Sequence, residues 1–383
     1  MKESSLYIHI PYCESKCIYC DFYSGGSSAA RWEVLTDSLL REFKERKTEL
    51  PDEPDTLYIG GGTPSLMPLE KLERLVEEIN RYFGKDNRWK EFTIEVNPDD
   101  VTEDKCLGWG KIGVNRVSMG VQSFNDDELR TLKRRHNSEM ALLAFRLLRT
   151  HFTNISIDLM FGIPGQTLES WEKSVEMAIS LLPEHISAYS LMLEEGTALT
   201  FLYNKGRVEL PSEEDCNSMW ELLSNKLRKV GYDQYEISNY SLPGFRSVHN
   251  SRYWSGNPYL GLGPSAHSYD GNNIRRYNPP LLKEYLSFFS EYKARVNDQH
   301  FYDEEILNKE ELMEEKILTR IRVREGISLK EFKDEFGENE VNRLLKNAES
   351  LLTAGKIKIE DNFLSLTTQG IMTSNQVILS LSM

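Results

Sequence analysis

Short runs of β-branched and aromatic residues recur through the first half of the chain, each followed by a segment with helical spacing, and this alternation constrains the fold most. The runs fall at 6–10, 56–59, 92–96, 116–121, 155–160 and 186–193. Between them Trp32, Leu35, Leu39 and Phe43 share one helical face, as do Leu72, Leu75, Ile79 and Phe83, and later Trp171, Val175, Ala178 and Leu182. Each such helix covers a parallel sheet. Six βα units suit either an open doubly wound sheet or a barrel with fewer than the eight units of a closed TIM barrel, and periodicity does not choose between them.

A chain of 383 residues has room for one barrel-sized domain and a smaller one. From about Glu213 the alternation stops: a helix to Val230 precedes a Tyr-, Trp-, Asn-, Gly- and Pro-rich stretch over 232–280 that reads as irregular. From about Asp303 come helices near 312–321, 328–336 and 339–354, then a hairpin of 356–359 and 363–367 about an Asp361-Asn362 turn. That order suggests a small α/β winged-helix-like domain. The expected division is a body over 1–212, a covering extension over 213–302 and a C-terminal domain over 303–383. Acidic residues outnumber basic ones in this last unit, so docking or a lid role is expected of it rather than DNA binding.

The formal net charge of −14 repels phosphate backbones, and no basic stripe offsets it, so nucleic acid is not an expected partner. No run approaches the roughly 18 apolar residues of a membrane span, and the opening MKESSLYIHIPYC lacks the order of a signal peptide. A cytoplasmic protein that does not span a membrane is expected.

Of five cysteines, Cys13, Cys17 and Cys20 fall within eight residues directly after the first strand, where parallel α/β folds place their active sites. Cys106 and Cys216 stand alone and read as small buried hydrophobes. Clustered thiolates suit zinc or iron-sulfur sites. One reading is zinc, completed by His9, although His9 belongs to the strand and not to the loop. The other is a [4Fe-4S] cluster on three thiolates, with one iron open for a ligand.

The pattern Cys13-x3-Cys17-x2-Cys20, with aromatic Tyr19 before the third cysteine, resembles the signature of the radical S-adenosylmethionine (SAM) superfamily. The resemblance implies a partial (β/α)6 barrel, a [4Fe-4S] cluster on these cysteines, SAM on the open iron, and Tyr19 near the adenine. Tyr7, which opens the Tyr-x-His-x-Pro-Tyr-Cys motif, joins the implied cofactor-binding set.

Gly60-Gly-Gly-Thr-Pro-Ser65 closes the second strand. Such glycines make a tight turn or admit a ligand to the backbone; the resemblance makes Gly61, Gly62 and Thr63 candidates for the SAM methionyl group. SAM carries cationic, anionic and hydroxyl groups, so its pocket should offer carboxylates, a cation and an amide. Glu95, Gln122 and Asp158 each interrupt an apolar strand, where an unpaired carboxylate is costly. A structural ion pair would explain each alone; together they favour a pocket. Arg134 follows at the family spacing to meet the SAM carboxylate, with Arg135 as the neighbouring register.

Further motifs, Gly-Val-Gln-Ser-Phe124, Asp158-Leu-Met-Phe-Gly-Ile-Pro-Gly-Gln-Thr167 and Tyr189-Ser-Leu-x-x-Glu-x-Gly-Thr197, resemble one branch over nearly the whole chain. It holds the oxygen-independent coproporphyrinogen III oxidases and the haem chaperones related to them. The oxidases carry a further cysteine where this chain has Asp21-Phe22, and an N-terminal extension where only a handful of residues precede Tyr7. His249-Asn-Ser-Arg-Tyr-Trp254 resembles the chaperones' H-N-x-x-Y-W haem-binding signature. Neutral imidazole is a haem ligand, and Tyr253 and Trp254 offer flat apolar area. Otherwise His249 is a hydrogen-bonded loop histidine and Trp254 is core. His267 is a second candidate ligand. The resemblance thus implies haem as cargo and a haem-accepting protein, such as a respiratory enzyme, as partner.

Overall fold

The computed structural model describes residues 3–26, 29–86, 88–290 and 300–382. Six parallel strands lie side by side in chain order: β1 (Ser5–Ile10), β2 (Thr56–Gly61), β3 (Glu91–Val96), β4 (Arg116–Gln122), β5 (Ile155–Phe161) and β6 (His185–Ser190). Their crossovers hold α1 (Ala29–Arg46), α2 (Leu69–Phe83), α3 (Glu103–Lys111), α4 (Asp126–Thr131), α5 (Ser138–His151) and α6 (Leu168–Ser180). All six expected strands are present, and Trp32, Leu35, Leu39, Leu72, Leu75, Ile79, Trp171, Val175 and Ala178 are buried in one core with the strand residues. Along β1, Leu6, Ile8 and Ile10 join that core while Tyr7 and His9 take the other face, as a two-residue period requires. The parallel strands run in sequential order without the reversal of a doubly wound sheet, and the sheet does not close on itself, so the arrangement is a partial barrel.

Leu182 departs from expectation. It lies past the end of α6, 66% exposed and with φ of 53°. Pro183 follows it, and the residue before a proline is disfavoured in the right-handed helical region.

After β6 come α7 (Ala198–Asn204) and α8 (Glu213–Lys229). The stretch 232–280, expected to be irregular, instead extends both edges of the sheet. The short strand β8 (Asn239–Ser241) pairs antiparallel with β6, and β7 (Asp233–Gln234) pairs antiparallel with β8. Then α9 (Val248–Ser255) leads into β9 (Tyr259–Leu262), which pairs parallel with β1, and β10 (His267–Tyr269) and β11 (Ile274–Tyr277) continue that edge antiparallel. Following α10 (Leu282–Ser290), β12 (Asp303–Ile306) ends a twelve-stranded sheet. Strands of two to four residues have too little length for periodicity to register; they form because a ready edge offers unpaired donors and acceptors.

The C-terminal domain runs α11 (Lys309–Arg320), β13 (Ile327–Ser328), α12 (Leu329–Phe336), α13 (Glu338–Thr353), β14 (Ile357–Glu360) and β15 (Phe363–Leu366), then α14 (Thr368–Met372) and α15 (Ser374–Ser382). Its small sheet has the order β13-β15-β14, and Phe332, Phe336, Leu344 and Leu364 belong to a core separate from that of the large sheet. This is the expected winged-helix-like order. Among the described residues no helix is long and apolar enough to cross a membrane.

Candidate cofactor site

The loop after β1 carries the three cysteines and is closed by Cys13 N–H donating to Gly25 O at 3.0 Å and Gly25 N–H to Pro11 O at 2.8 Å. All three thiols are partly exposed and line one cavity of about 440 Å³ at the C-terminal ends of the parallel strands. Thr63 Oγ1 donates to Cys13 Sγ at 3.4 Å, and Arg134 Nη1 donates to Cys17 Sγ at 3.4 Å. Burial pushes the Cys20 thiol up to about 11.

Among the described residues no three His, Cys, Asp or Glu side chains are gathered as they would be around a single ion. A four-iron cluster binds each thiolate through a different iron, so its ligands stand further apart than those of one ion. His9 does not complete a zinc site: its Nδ1 lies 3.0 Å from the Tyr7 hydroxyl and its Nε2 3.1 Å from Tyr23 O.

The same cavity is lined by Tyr19, Gly61, Gly62, Thr63, Glu95, Gln122, Arg134 and Asp158. Gly61 has φ of 113°, and a Cβ on Gly62 would meet Tyr12 O at 2.6 Å, so the turn after β2 has no room for side chains. Glu95 accepts from Tyr58 Oη at 2.7 Å and from Gly61 N–H at 3.0 Å. Burial raises its carboxyl to about 7, leaving it poised between charge states. Asp158 accepts from Ser118 Oγ at 3.1 Å and Ser156 Oγ at 3.3 Å, and burial raises it as well.

Gln122 sits at a register shift between β4 and β5 and has φ of 68°. A left-handed non-glycine residue stores of order 1 kcal/mol or more, the kind of strain that clusters at functional sites. Arg134 Nη2 donates to Asn97 Oδ1 and Gly120 O, both at 2.7 Å, while its Nε is buried without a partner. That unmet donor, the glycine turn and the two carboxylates fit a ligand with both cationic and anionic groups. Arg135 is committed elsewhere, paired with Glu14, with Asp99 at 2.8 Å and with Asp100 at 3.0 Å, whereas Arg134 lines the cavity.

Ser118, Asn97, Arg116 and Asn250 also line this cavity and were not singled out from the sequence. Ser118 alternates with Gly120 and Gln122 on β4, so the two-residue period carried a signal for it. Arg116 falls on the same alternation, whereas Asn250 carried no signal, because it arrives on α9 from far along the chain.

Two expected residues lie outside the cavity. Tyr7 lines an adjoining groove of about 760 Å³ together with Tyr253, Tyr259 and His267. His249 is 1% exposed on the first turn of α9. The Glu91 carboxylate anchors that turn, accepting from Val248 N–H at 2.7 Å and His249 N–H at 3.1 Å. His249 Nδ1 lies 2.9 Å from Thr56 Oγ1, which itself donates to Ser5 Oγ at 2.9 Å, so Nδ1 carries the proton and Nε2 accepts from the Tyr253 hydroxyl at 2.9 Å. Burial, then Arg252 and Arg116, lower His249 to about 3 and keep it neutral. Trp254 faces a further cavity shared with Leu312 and Lys316 of α11, and its Nε1 has no partner.

The Radical SAM superfamily profile matches residues 7–178, and the HemN C-terminal domain profile matches 307–373. The Heme chaperone HemW of Bacillus subtilis (strain 168) is 38% identical over 376 residues, 97% of this chain and 97% of that protein. That of Lactococcus lactis subsp. lactis is 36% identical over 88% of this chain and 86% of its own. Among solved structures, the radical SAM enzyme coproporphyrinogen III oxidase (HemN) from Escherichia coli has a TM-score of 0.83 at 21% identity, covering 100% of this chain and 90% of that one. At that identity the likeness speaks for the fold alone.

Proposed function

This chain belongs to the Heme chaperone HemW family of radical SAM proteins, and from that premise we propose that it carries haem in the cytoplasm and passes it to an acceptor protein such as a respiratory enzyme. The similarity over 97% of both chains carries this reading, because it spans the cavity, α9 and the C-terminal domain together. Radical SAM membership brings a [4Fe-4S] cluster and SAM, which supply one-electron chemistry when bound.

The residues then divide the work. Cys13, Cys17 and Cys20 hold the cluster, and Thr63 and Arg134 donate to two of the sulfurs. Glu95 takes the ammonium of SAM, Arg134 its carboxylate, Gly61 and Gly62 its methionyl chain, and Asp158 and Gln122 its ribose side, with Tyr19 beside the adenine. Tyr7 lies outside this pocket, lining the groove and packing against Tyr58, which lines the pocket. His249 belongs to the haem-binding segment; to ligate iron itself, its Nε2 has to leave the Tyr253 hydroxyl. The alternative, a porphyrinogen decarboxylase, is supported by a fold likeness and the C-terminal domain profile and opposed by Asp21-Phe22.

The test is titration of the cluster-reconstituted chain with haemin, with and without SAM, followed by mixing with a haem-free acceptor. A saturable Soret change and its transfer to the acceptor's spectrum are expected. Haemin that stays unbound at equimolar concentration removes the carrier reading.

A further inference from the structure

The groove beside the cysteine cavity is walled by Tyr7 of β1, Phe22 and Tyr23 of the cysteine loop, Tyr253 of α9, Tyr259 of β9 and His267 of β10. Its volume, about 760 Å³, lies in the range that buries a ligand of several rings, about 300–1,000 Å³. The walls are aromatic, with Tyr253 and Tyr259 packed edge to face at 4.7 Å between ring centres, and such walls suit a flat conjugated ligand.

The two histidines named as candidate ligands differ in what their ring nitrogens do. Both nitrogens of His249 are occupied, by Thr56 and by Tyr253. His267 is exposed, stacked on Tyr277 at 5.7 Å, and neither of its ring nitrogens has a hydrogen-bond partner among the described residues. Partial desolvation and the Arg275 guanidinium lower its pKa, so the lone pair is available at neutral pH.

The geometry points to this groove as the haem seat, with His267 as the axial donor and His249 as a positioning residue that holds Tyr253 in the groove wall. The inference rests on the haem-carrier reading and says where and how the haem is held. A macrocycle against Tyr253 and Tyr259 leaves its carboxylate side chains for the rim, where Lys16 has no ion-pair partner among the described residues. Lys16, Asp21 and Phe22 line both the groove and the cysteine cavity, so the loop that holds the cluster also forms one side of the haem seat.

The experiment is haemin titration of the full, cluster-reconstituted chain and of its His267→Ala and His249→Ala variants, read by Soret position and affinity, with added imidazole as a rescue arm. His267→Ala should shift the Soret band and bind at least about tenfold more weakly, with imidazole restoring the wild-type spectrum. His249→Ala should keep the wild-type Soret position and weaken binding only a few-fold, through a loosened Tyr253. Iron content and circular dichroism check that each variant folds, and His267 is exposed enough that its loss leaves the core intact. An unchanged spectrum in His267→Ala, with the band lost in His249→Ala, overturns the inference and leaves the haem-carrier reading standing. Failure of the wild-type chain to bind haemin removes both.

Discussion

His249 Nε2 lies 2.9 Å from the Tyr253 hydroxyl, one turn further along α9, and the imidazole is 1% exposed. The signature that marks this segment in the sequence is therefore, in the fold, a buried hydrogen-bonded pair anchored to the first residues of β2 and β3. His249→Ala leaves the hydroxyls of Thr56 and Tyr253 without this partner and opens a void. A loss of about 2–4 kcal/mol is expected in urea unfolding. Tyr253→Phe removes one hydrogen bond and keeps the ring, so about 1 kcal/mol is expected. Equal losses for the two variants would contradict the bonding described.

The same burial gives a pH dependence. Folded His249 stays neutral down to about 3, whereas the unfolded chain takes up a proton near the ordinary value of about 6.5. The unfolded state thus binds more protons between these values, and stability falls as pH drops from about 6.5 towards 3. Burial lowers His136 and His185 too, so the contribution of His249 is read as the difference between wild type and His249→Gln. The variant should lose less stability between pH 7 and 5.

Replacing Cys13, Cys17 or Cys20 by Ala should abolish the roughly four irons per chain that anaerobic reconstitution gives. Cys106→Ala and Cys216→Ala should retain them, since Cys106 is buried in the core and neither thiol lines the cysteine cavity. Iron and sulfide analysis decides; a single zinc held by the wild-type chain would be the contrary result.

Glu95 titrates near 7 in a setting shared with Tyr58, Asp158 and Arg116. A cationic ammonium prefers the carboxylate, so SAM affinity should rise with pH up to about 7 and then level off, by at most about tenfold per unit for one released proton. Calorimetry across pH 6–8 measures this. Glu95→Gln should bind more weakly and lose the slope; a variant that keeps the slope assigns the titration to another group.

No conversion of coproporphyrinogen III to protoporphyrinogen IX is expected, even with SAM and a low-potential reductant. The position where the oxidases carry a further cysteine holds the exposed pair Asp21 and Phe22 here, at the boundary between cavity and groove. Chromatography of the porphyrin products tests it, and sustained turnover would restore the oxidase reading.

The six strands, the helices that cover them, the cysteine loop and the wing were legible because each is written in local spacing. Apolar residues at helical or alternating periods declare which face is buried whatever the neighbours are. Polar residues that break an apolar strand, such as Glu95 and Asp158, declare themselves in the same way, and the fold brings both into the cavity with the cysteines.

What the sequence could not carry were relationships between distant segments. The stretch 232–280 has no period because its strands borrow their hydrogen bonds from edges made by β1 and β6. That Arg134 lines the cavity while Arg135 is held in ion pairs depends on where Glu14, Asp99 and Asp100 lie. Whether an imidazole offers a lone pair depends on what its two nitrogens touch, and for His249 those contacts include Thr56, 193 residues earlier. Composition and spacing name the groups; only packing decides which remain free to bind, because burial and pairing are set by chain segments that no local window contains.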